Sequence, residues 1–271
     1  MGEFPGANAT PADAAYAIVG APLDVSSTFQ PGSRFGPDRM RRFARPLDDY
    51  DRQTDRRFSD IGVIDTGNVD PWDDAEDYLS FLEGQLADTV AADRLPIILG
   101  GEHTVSLAGV RATEPDVYVC LDAHLDLYES YAGNDRSHAT VTRHALEVAE
   151  SAILLGVRTG SEEEWARAAE SDVTVVPPED VSSWSPDFDG DAYLSIDVDA
   201  ADPGFAPGTG TPEPFGLQPR ELRDVVRAVA PRTVGADVVE VTDRDDGQAA
   251  SLGAKLAREF VFSHADAHHD E

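Results

Sequence analysis

The chain has 271 residues, 52 acidic side chains against 21 basic ones, a formal net charge of −31 and a pI near 4.3. Lys255 is the single lysine, so the other 20 of the 21 cations are Arg. This balance excludes a nucleic-acid or anionic-membrane partner, because phosphate binding needs a basic face, and the one cysteine, Cys120, excludes an intrachain disulfide. The acids are spread along the chain rather than gathered in a tail. That pattern suits a protein kept soluble in concentrated salt, where screening shortens repulsion; an ordinary acidic protein is the alternative. No apolar run approaches bilayer length, and the N-terminus lacks the basic and apolar regions of a signal peptide. The expectation is a cytoplasmic protein with one domain over residues 1–271.

In chain order, the first apolar, β-rich run is "YAIVG" (16–20), followed by "IGVID" (61–65). An amphipathic segment, "DDAEDYLSFLEGQLADTVAA", separates these from "LPIILG" (95–100), after which comes "GGEHTVSL". "VYVCLD" (117–122) leads into "AHLD", then the helix-like "TVTRHALEVAE" and the run "AILLGV" (152–157). "EEEWARAAE", "VTVV" (173–176), "AYLSIDVD" (192–199), "PRELRDVVRAVA", "GADVVEV" (235–241) and "QAASLGAKLAREFVF" complete the alternation. Continuous apolar strands alternating with helices predict an α/β fold with a parallel sheet covered on both faces.

Active sites of such sheets lie at the carboxyl ends of the strands. Four strands carry polar, metal-capable residues there: "GGEH" places His103, "DAHLD" places Asp122, His124 and Asp126, "SIDVD" places Asp197 and Asp199, and "VVEV" places Glu240. Alternate residues of an extended segment point the same way, so Asp122, His124 and Asp126 are expected on one face, and Asp197 and Asp199 on another. Two glycines before Glu102 are expected to let the backbone bend tightly at His103. Six ligands, mostly oxygen with two nitrogens, suit a hard divalent ion such as Mn²⁺, and bridging carboxylates can hold two ions roughly 3.5–4 Å apart.

The motifs "PGSRFGPDRMR" (31–41), "GGEHTVSL" (100–107), "DAHLD" (122–126), "SHATVTRHALE" (137–147), "SIDVDAADPGFAPGTGTPEPFGL" (195–217) and "DVVEVTDRDD" (237–246) resemble the ureohydrolase family of arginases and agmatinases over nearly the whole chain. The resemblance implies a three-layer fold with a central, mostly parallel eight-stranded sheet and two Mn²⁺ ions per chain. One ion would take His103, Asp122, Asp126 and Asp197; the other would take Asp122, His124, Asp197 and Asp199. It further implies hydrolysis of a guanidinium, with His138 as the proton-shuttling histidine and Glu240 as the carboxylate that grips the guanidinium. Trimers or hexamers are the family's implied assembly. "SHAT" looks most like archaeal agmatinase-type members, with Ala139 where a Gly is common.

The loop from Leu125 to Ser137 is expected to border the pocket; Arg136 is its only cation, which favours a cationic substrate such as agmatine. Aminopropylagmatine, arginine, guanidinobutyrate or formiminoglutamate are alternatives, with "GND" (133–135) available to an α-carboxylate, and a non-catalytic metal-binding member is a further one. "GTGTPE" lacks the third glycine of a dinucleotide loop and reads as a turn in the pocket wall. His144 reads as structural or exposed, Cys120 as a packed thiol, and the tail "HADAHHDE" as a solvated terminus.

Overall fold

All eight apolar runs become strands, and all join one parallel sheet. The computed structural model describes residues 3–72 and 74–268. In chain order the elements are β1 (Tyr16–Ala21), α1 (Gly36–Ala44), β2 (Tyr50–Asp51), β3 (Arg56–Arg57), β4 (Val63–Asn68), α2 (Ala75–Ala91), β5 (Leu95–Gly100), α3 (Ser106–Thr113), β6 (Val117–Leu121), α4 (Val141–Ala145), β7 (Ser151–Leu155), α5 (Glu162–Ala168), β8 (Val173–Val176), α6 (Pro178–Val181), β9 (Ala192–Asp197), α7 (Pro219–Val229), β10 (Thr233–Val239) and α8 (Gln248–Ala267). The sheet order is β4-β1-β5-β10-β9-β6-β7-β8; β2 and β3 form a small antiparallel pair apart from it.

The alternation of side chains along each strand makes the three layers. In β6, Val117, Val119 and Leu121 pack into a cluster with Met40 of α1, Leu222 and Val225 of α7, and Phe260 of α8. Tyr118 and Cys120 of the same strand face the other way, onto Leu107 and Val110 of α3 and Val141 of α4. A third cluster sets Val19 and Ile98 against Tyr78, Leu82 and Leu86 of α2. Each of these aliphatic side chains contributes roughly 1.5–3 kcal/mol on full burial, and burial on both faces is why the strands read as unbroken apolar runs.

The four strands singled out for their polar ends, β5, β10, β9 and β6, are consecutive neighbours at the centre of the sheet. Leu121 pairs with Ile196 and Val239 with Asp197, so the next residues, Asp122 and Glu240, emerge beside Asp197 at the same edge. β10, the last strand in the chain, is the one inserted between β5 and β9.

Candidate active site

Each strand end delivers its group by a different local device. Gly100, the last residue of β5, and Gly101 precede Glu102 and a 3₁₀ turn that opens at His103. Neither glycine has a positive φ; both are needed for space. A Cβ on Gly101 would lie 2.0 Å from the Leu23 carbonyl oxygen, and one on Gly100 would lie 2.6 Å from Val239. The expected bend is therefore a matter of close approach, to the Leu23 backbone at Gly101 and to the Val239 and Val105 side chains at Gly100.

β6 stops at Leu121, one residue before Asp122, so strand alternation does not carry Asp122, His124 and Asp126 to one face. They are brought together by an irregular loop in which Asp126 adopts a left-handed φ of 52°. Asp197 ends β9, but Asp199 belongs to the next 3₁₀ turn, whose start is capped by Asp197 accepting from the Asp199 N–H at 2.8 Å. Glu240 follows β10, also with a left-handed φ, 59°. Asp tolerates that region through its short polar side chain; Glu does so more rarely.

The result is two adjoining clusters. His103 Nδ1 lies 2.8 Å from Asp126, 3.2 Å from Asp122 and 3.7 Å from Asp197 carboxylate oxygens. His124 Nδ1 lies 3.0 Å from Asp199 and 3.4 Å from the other Asp122 oxygen. Asp122 thus faces both imidazoles. Every one of these residues except His124 is buried.

The chemistry of this donor set fits divalent cations. Ser195 gives its one hydroxyl hydrogen to Asp237 at 2.8 Å, so its oxygen meets His103 Nε2, 3.1 Å away, as an acceptor. Nε2 then carries a hydrogen, and Nδ1 is the nitrogen presented to three carboxylates. It is fully buried and makes no directed hydrogen bond, an arrangement that costs free energy unless a positive charge sits between the groups.

Protonation tells the same story. Burial, then the neighbouring Asp122 charge, pushes Asp126 up to about 7. Burial and the charges of Asp199, Asp122 and Glu240 hold Asp197 well above the carboxylate range. Burial, with Glu102 nearby, pushes Glu240 up to about 8. Burial acts in the same direction on Asp122, but the neighbouring His103 and His124 imidazoles prevail and hold it below the usual range. Burial opposes charge on His124, yet Asp199 and Asp122 raise it far above the ordinary imidazole value. Protons stand here where cations would otherwise balance the carboxylates.

These clusters form the floor of a cavity of about 360 Å³, walled by Thr28, Leu125, Tyr128, Tyr131, His138, Thr159, Glu164 and Thr211, with Glu240 beside Asp197. The 125–137 loop borders it as expected, through Tyr128 and Tyr131, but residues 133–135 do not line it. Thr211, in "GTGTPE", reaches Asp199 at 3.3 Å, and a Cβ on Gly210 would sit 2.9 Å from Glu240 Oε2, so that segment does shape the wall. His138 opens a 3₁₀ turn capped by Ser137, and burial, then His103 and His124, push its ring down to about 4.

Three groups escaped sequence reasoning. Glu164, 4% exposed, closes a capping box on α5 with Ser161 and accepts from the Leu127 N–H at 3.2 Å; its "SEEE" context signals only a helix start. Asp237 sits inside a strand that reads as apolar. Glu102 was visible in "GGEH", but nothing local reveals its partners. Cys120 is buried, 3.8 Å from both His103 and Asp122, and burial pushes its thiol up to about 12, consistent with packing. His144 anchors the 125–137 loop through the Asp135 carbonyl at 2.7 Å. The tail reading needs correction: α8 continues to Ala267 and His264 packs against Tyr16, while residues 269–271 lie outside the described residues.

A sequence model of the arginase family matches residues 14–263. The agmatinase of Bacillus cereus is 35% identical over 262 residues, covering 90% of each chain. N(1)-aminopropylagmatine ureohydrolase of Thermococcus kodakarensis is 33% identical over 269 residues, covering 93% of this chain and 90% of its own. The crystal structure of agmatine ureohydrolase of Thermoplasma volcanium superposes with a TM-score of 0.91 at 30% identity, covering 100% of this chain and 97% of that one. A matched span that takes in every strand of the sheet, and the whole polar edge where β5, β6, β9 and β10 end, makes this chain a member of the arginase family of amidinohydrolases.

Proposed function

We propose that the protein hydrolyses the guanidinium group of agmatine, so that agmatine and water give putrescine and urea. The observation that carries the substrate is the charge of the cavity: none of the described residues lining it is Lys or Arg, while Asp126, Glu164, Asp197 and Glu240 are acidic. Agmatine is cationic at both ends and suits such walls; arginine, guanidinobutyrate and formiminoglutamate each bring a carboxylate that would meet no cation there. Aminopropylagmatine extends the same chemistry by one more amine.

In this reading one Mn²⁺ would be held by His103, Asp122, Asp126 and Asp197 and a second by Asp122, His124, Asp197 and Asp199. When bound, such a pair supplies the Lewis acidity that makes water a nucleophile near neutral pH. Glu240 Oε1 accepts from the His103 N–H at 2.8 Å, which leaves Oε2 to grip the guanidinium by a charge-assisted hydrogen bond. His138 protonates the amine nitrogen as the C–N bond breaks. The dispersed acidity and near-absence of Lys extend the proposal to a salt-rich cytoplasm, and the assembly to a trimer or hexamer. No helix among the described residues is long and apolar enough to cross a membrane.

The test is urea release in molar salt with Mn²⁺ from agmatine, aminopropylagmatine, arginine and guanidinobutyrate, with formamide followed for formiminoglutamate. Urea from agmatine is the expected outcome. Turnover confined to a carboxylate-bearing substrate overturns the cavity argument; silence across the panel with two ions bound per chain points to a non-catalytic metal-binding protein.

A further inference from the structure

His138 has a supporting structure that reaches far from its own turn. Its ring Nδ1 lies 3.1 Å from Ser26 Oγ, and its backbone N–H donates to the same oxygen at 3.0 Å. Ser26 is 112 residues away, in the segment between β1 and α1. The Ser26 hydroxyl in turn donates to Glu102 Oε1 at 2.9 Å. Glu102 is wholly buried and collects three more donors: the Val25 N–H at 2.6 Å and Ser26 N–H at 2.7 Å on Oε2, and the Thr104 hydroxyl at 2.8 Å on Oε1.

A serine hydroxyl has one hydrogen. With that hydrogen committed to the Glu102 carboxylate, the stronger acceptor, Ser26 Oγ meets His138 with lone pairs alone. It can accept from the backbone N–H and from Nδ1–H, but it cannot donate to Nδ1. Ser137 Oγ is farther from Nδ1, at 3.3 Å, and accepts from the Ala139 N–H at 3.4 Å. Nε2 has no protein partner among the described residues.

We propose that Glu102 and Ser26 are positioning residues for His138, forming a carboxylate–hydroxyl–imidazole relay that fixes the ring's orientation and its tautomer. Nδ1 keeps its hydrogen throughout. Nε2 is the exchanging nitrogen: bare in the neutral ring, it takes a proton from the attacking water and passes it to the departing amine as the C–N bond breaks, which returns the ring to its neutral form. The relay also explains why the turn before His103 carries a buried acid whose hydrogen bonds go to Val25, Ser26 and Thr104 rather than to the cluster: one short segment, Glu102–His103, serves the shuttle with its first side chain and the cation site with its second. The catalytic part of this inference rests on the amidinohydrolase reading of His138; the tautomer does not.

Two measurements test it. In Mn²⁺-loaded protein, Ser26→Ala should lower kcat roughly 10- to 100-fold while KM for agmatine stays within about twofold, with metal content and melting temperature unchanged. Ser26→Thr, which restores the hydroxyl, should recover most of kcat. In ¹⁵N-histidine-labelled protein holding diamagnetic Mg²⁺, with the His138 signal assigned by His138→Gln, the neutral ring should carry its hydrogen on Nδ1, and Ser26→Ala should give a tautomer mixture. Wild-type kcat in Ser26→Ala overturns the relay, as does a parallel loss of melting temperature and metal, which would make Ser26 a mere loop latch. An Nε2-protonated ring in the wild type overturns it even where no urea is released, whereas an Nδ1-protonated ring in a protein inert on the whole panel keeps the relay and removes the proposed reaction.

Discussion

Asp122 gives one carboxylate oxygen to each imidazole, Oδ2 toward His103 and Oδ1 toward His124, so one substitution reaches both halves of the site. Asp122→Ala is expected to abolish turnover and to strip metal from both positions, with metal per chain and urea release as the readouts; full activity with two ions bound would refute the ligand division. At this scale the sequence was unusually legible for the donors and poorly legible for what orients them. His103, Asp122, His124, Asp126, Asp197 and Asp199 stand in short motifs, and their residue types declare a preference for hard cations. Yet they converge through a left-handed residue and a 3₁₀ turn rather than through the alternation of a strand. Ser195 with Asp237, and Ser26 with Glu102, are pairings across 42 and 76 residues. Hydrogen bonds of that span leave no local spacing to read.

Strands were the most legible elements, because a parallel strand buried on both faces is apolar at nearly every position, with Ser195 and Asp237 the hydrogen-bonded exceptions. Their ends were less so: β9 stops at Asp197, and the two-residue pair β2–β3 has no pattern to reveal it. The turn after β5 offers a sharp test. Gly101→Ala would drive a methyl into the Leu23 carbonyl, so the variant should lose about 1–3 kcal/mol of stability and, because His103 follows two residues later, hold less metal. Denaturation and metal analysis measure the two effects; a neutral result would show the turn to be more pliable than its contacts imply. At the far end of the fold, α8 is tied to β1 by His264 Nδ1 and the Tyr16 hydroxyl at 2.9 Å. Burial, then His268, push His264 from 6.5 down to about 4. The unfolded ring takes up a proton below pH 6.5 while the folded ring resists until about 4, so this tie contributes fully above 6.5 and is lost as acid approaches 4. Relative to His264→Gln, the wild-type melting temperature should therefore fall between pH 7 and 4.5; a constant gap would remove the ring's burial from the pH response.

For the molecule as a whole, a net charge of −31 sets the conditions under which the fold holds. Screening shrinks from about 30 Å at 0.01 M salt to about 3 Å at 1 M, so dilution lets carboxylates repel one another across the surface. The melting temperature is expected to drop by several degrees or more from molar to millimolar salt, and an unchanged value would refute salt adaptation. Composition alone carries that expectation, whereas the sheet order was not readable: which strand neighbours which depends on crossovers that no local pattern encodes. That order has a bearing on biosynthesis. Because β10 wedges between β5 and β9, a nascent chain lacking residues 233–239 has a gap at the middle of its sheet. The donors beside β6 and β9, which pair directly, still share an edge, but His103, beyond the end of β5, has none in common with them. Translation of the last strand is thus the step that brings the His103 side of the cluster against the β6–β9 side.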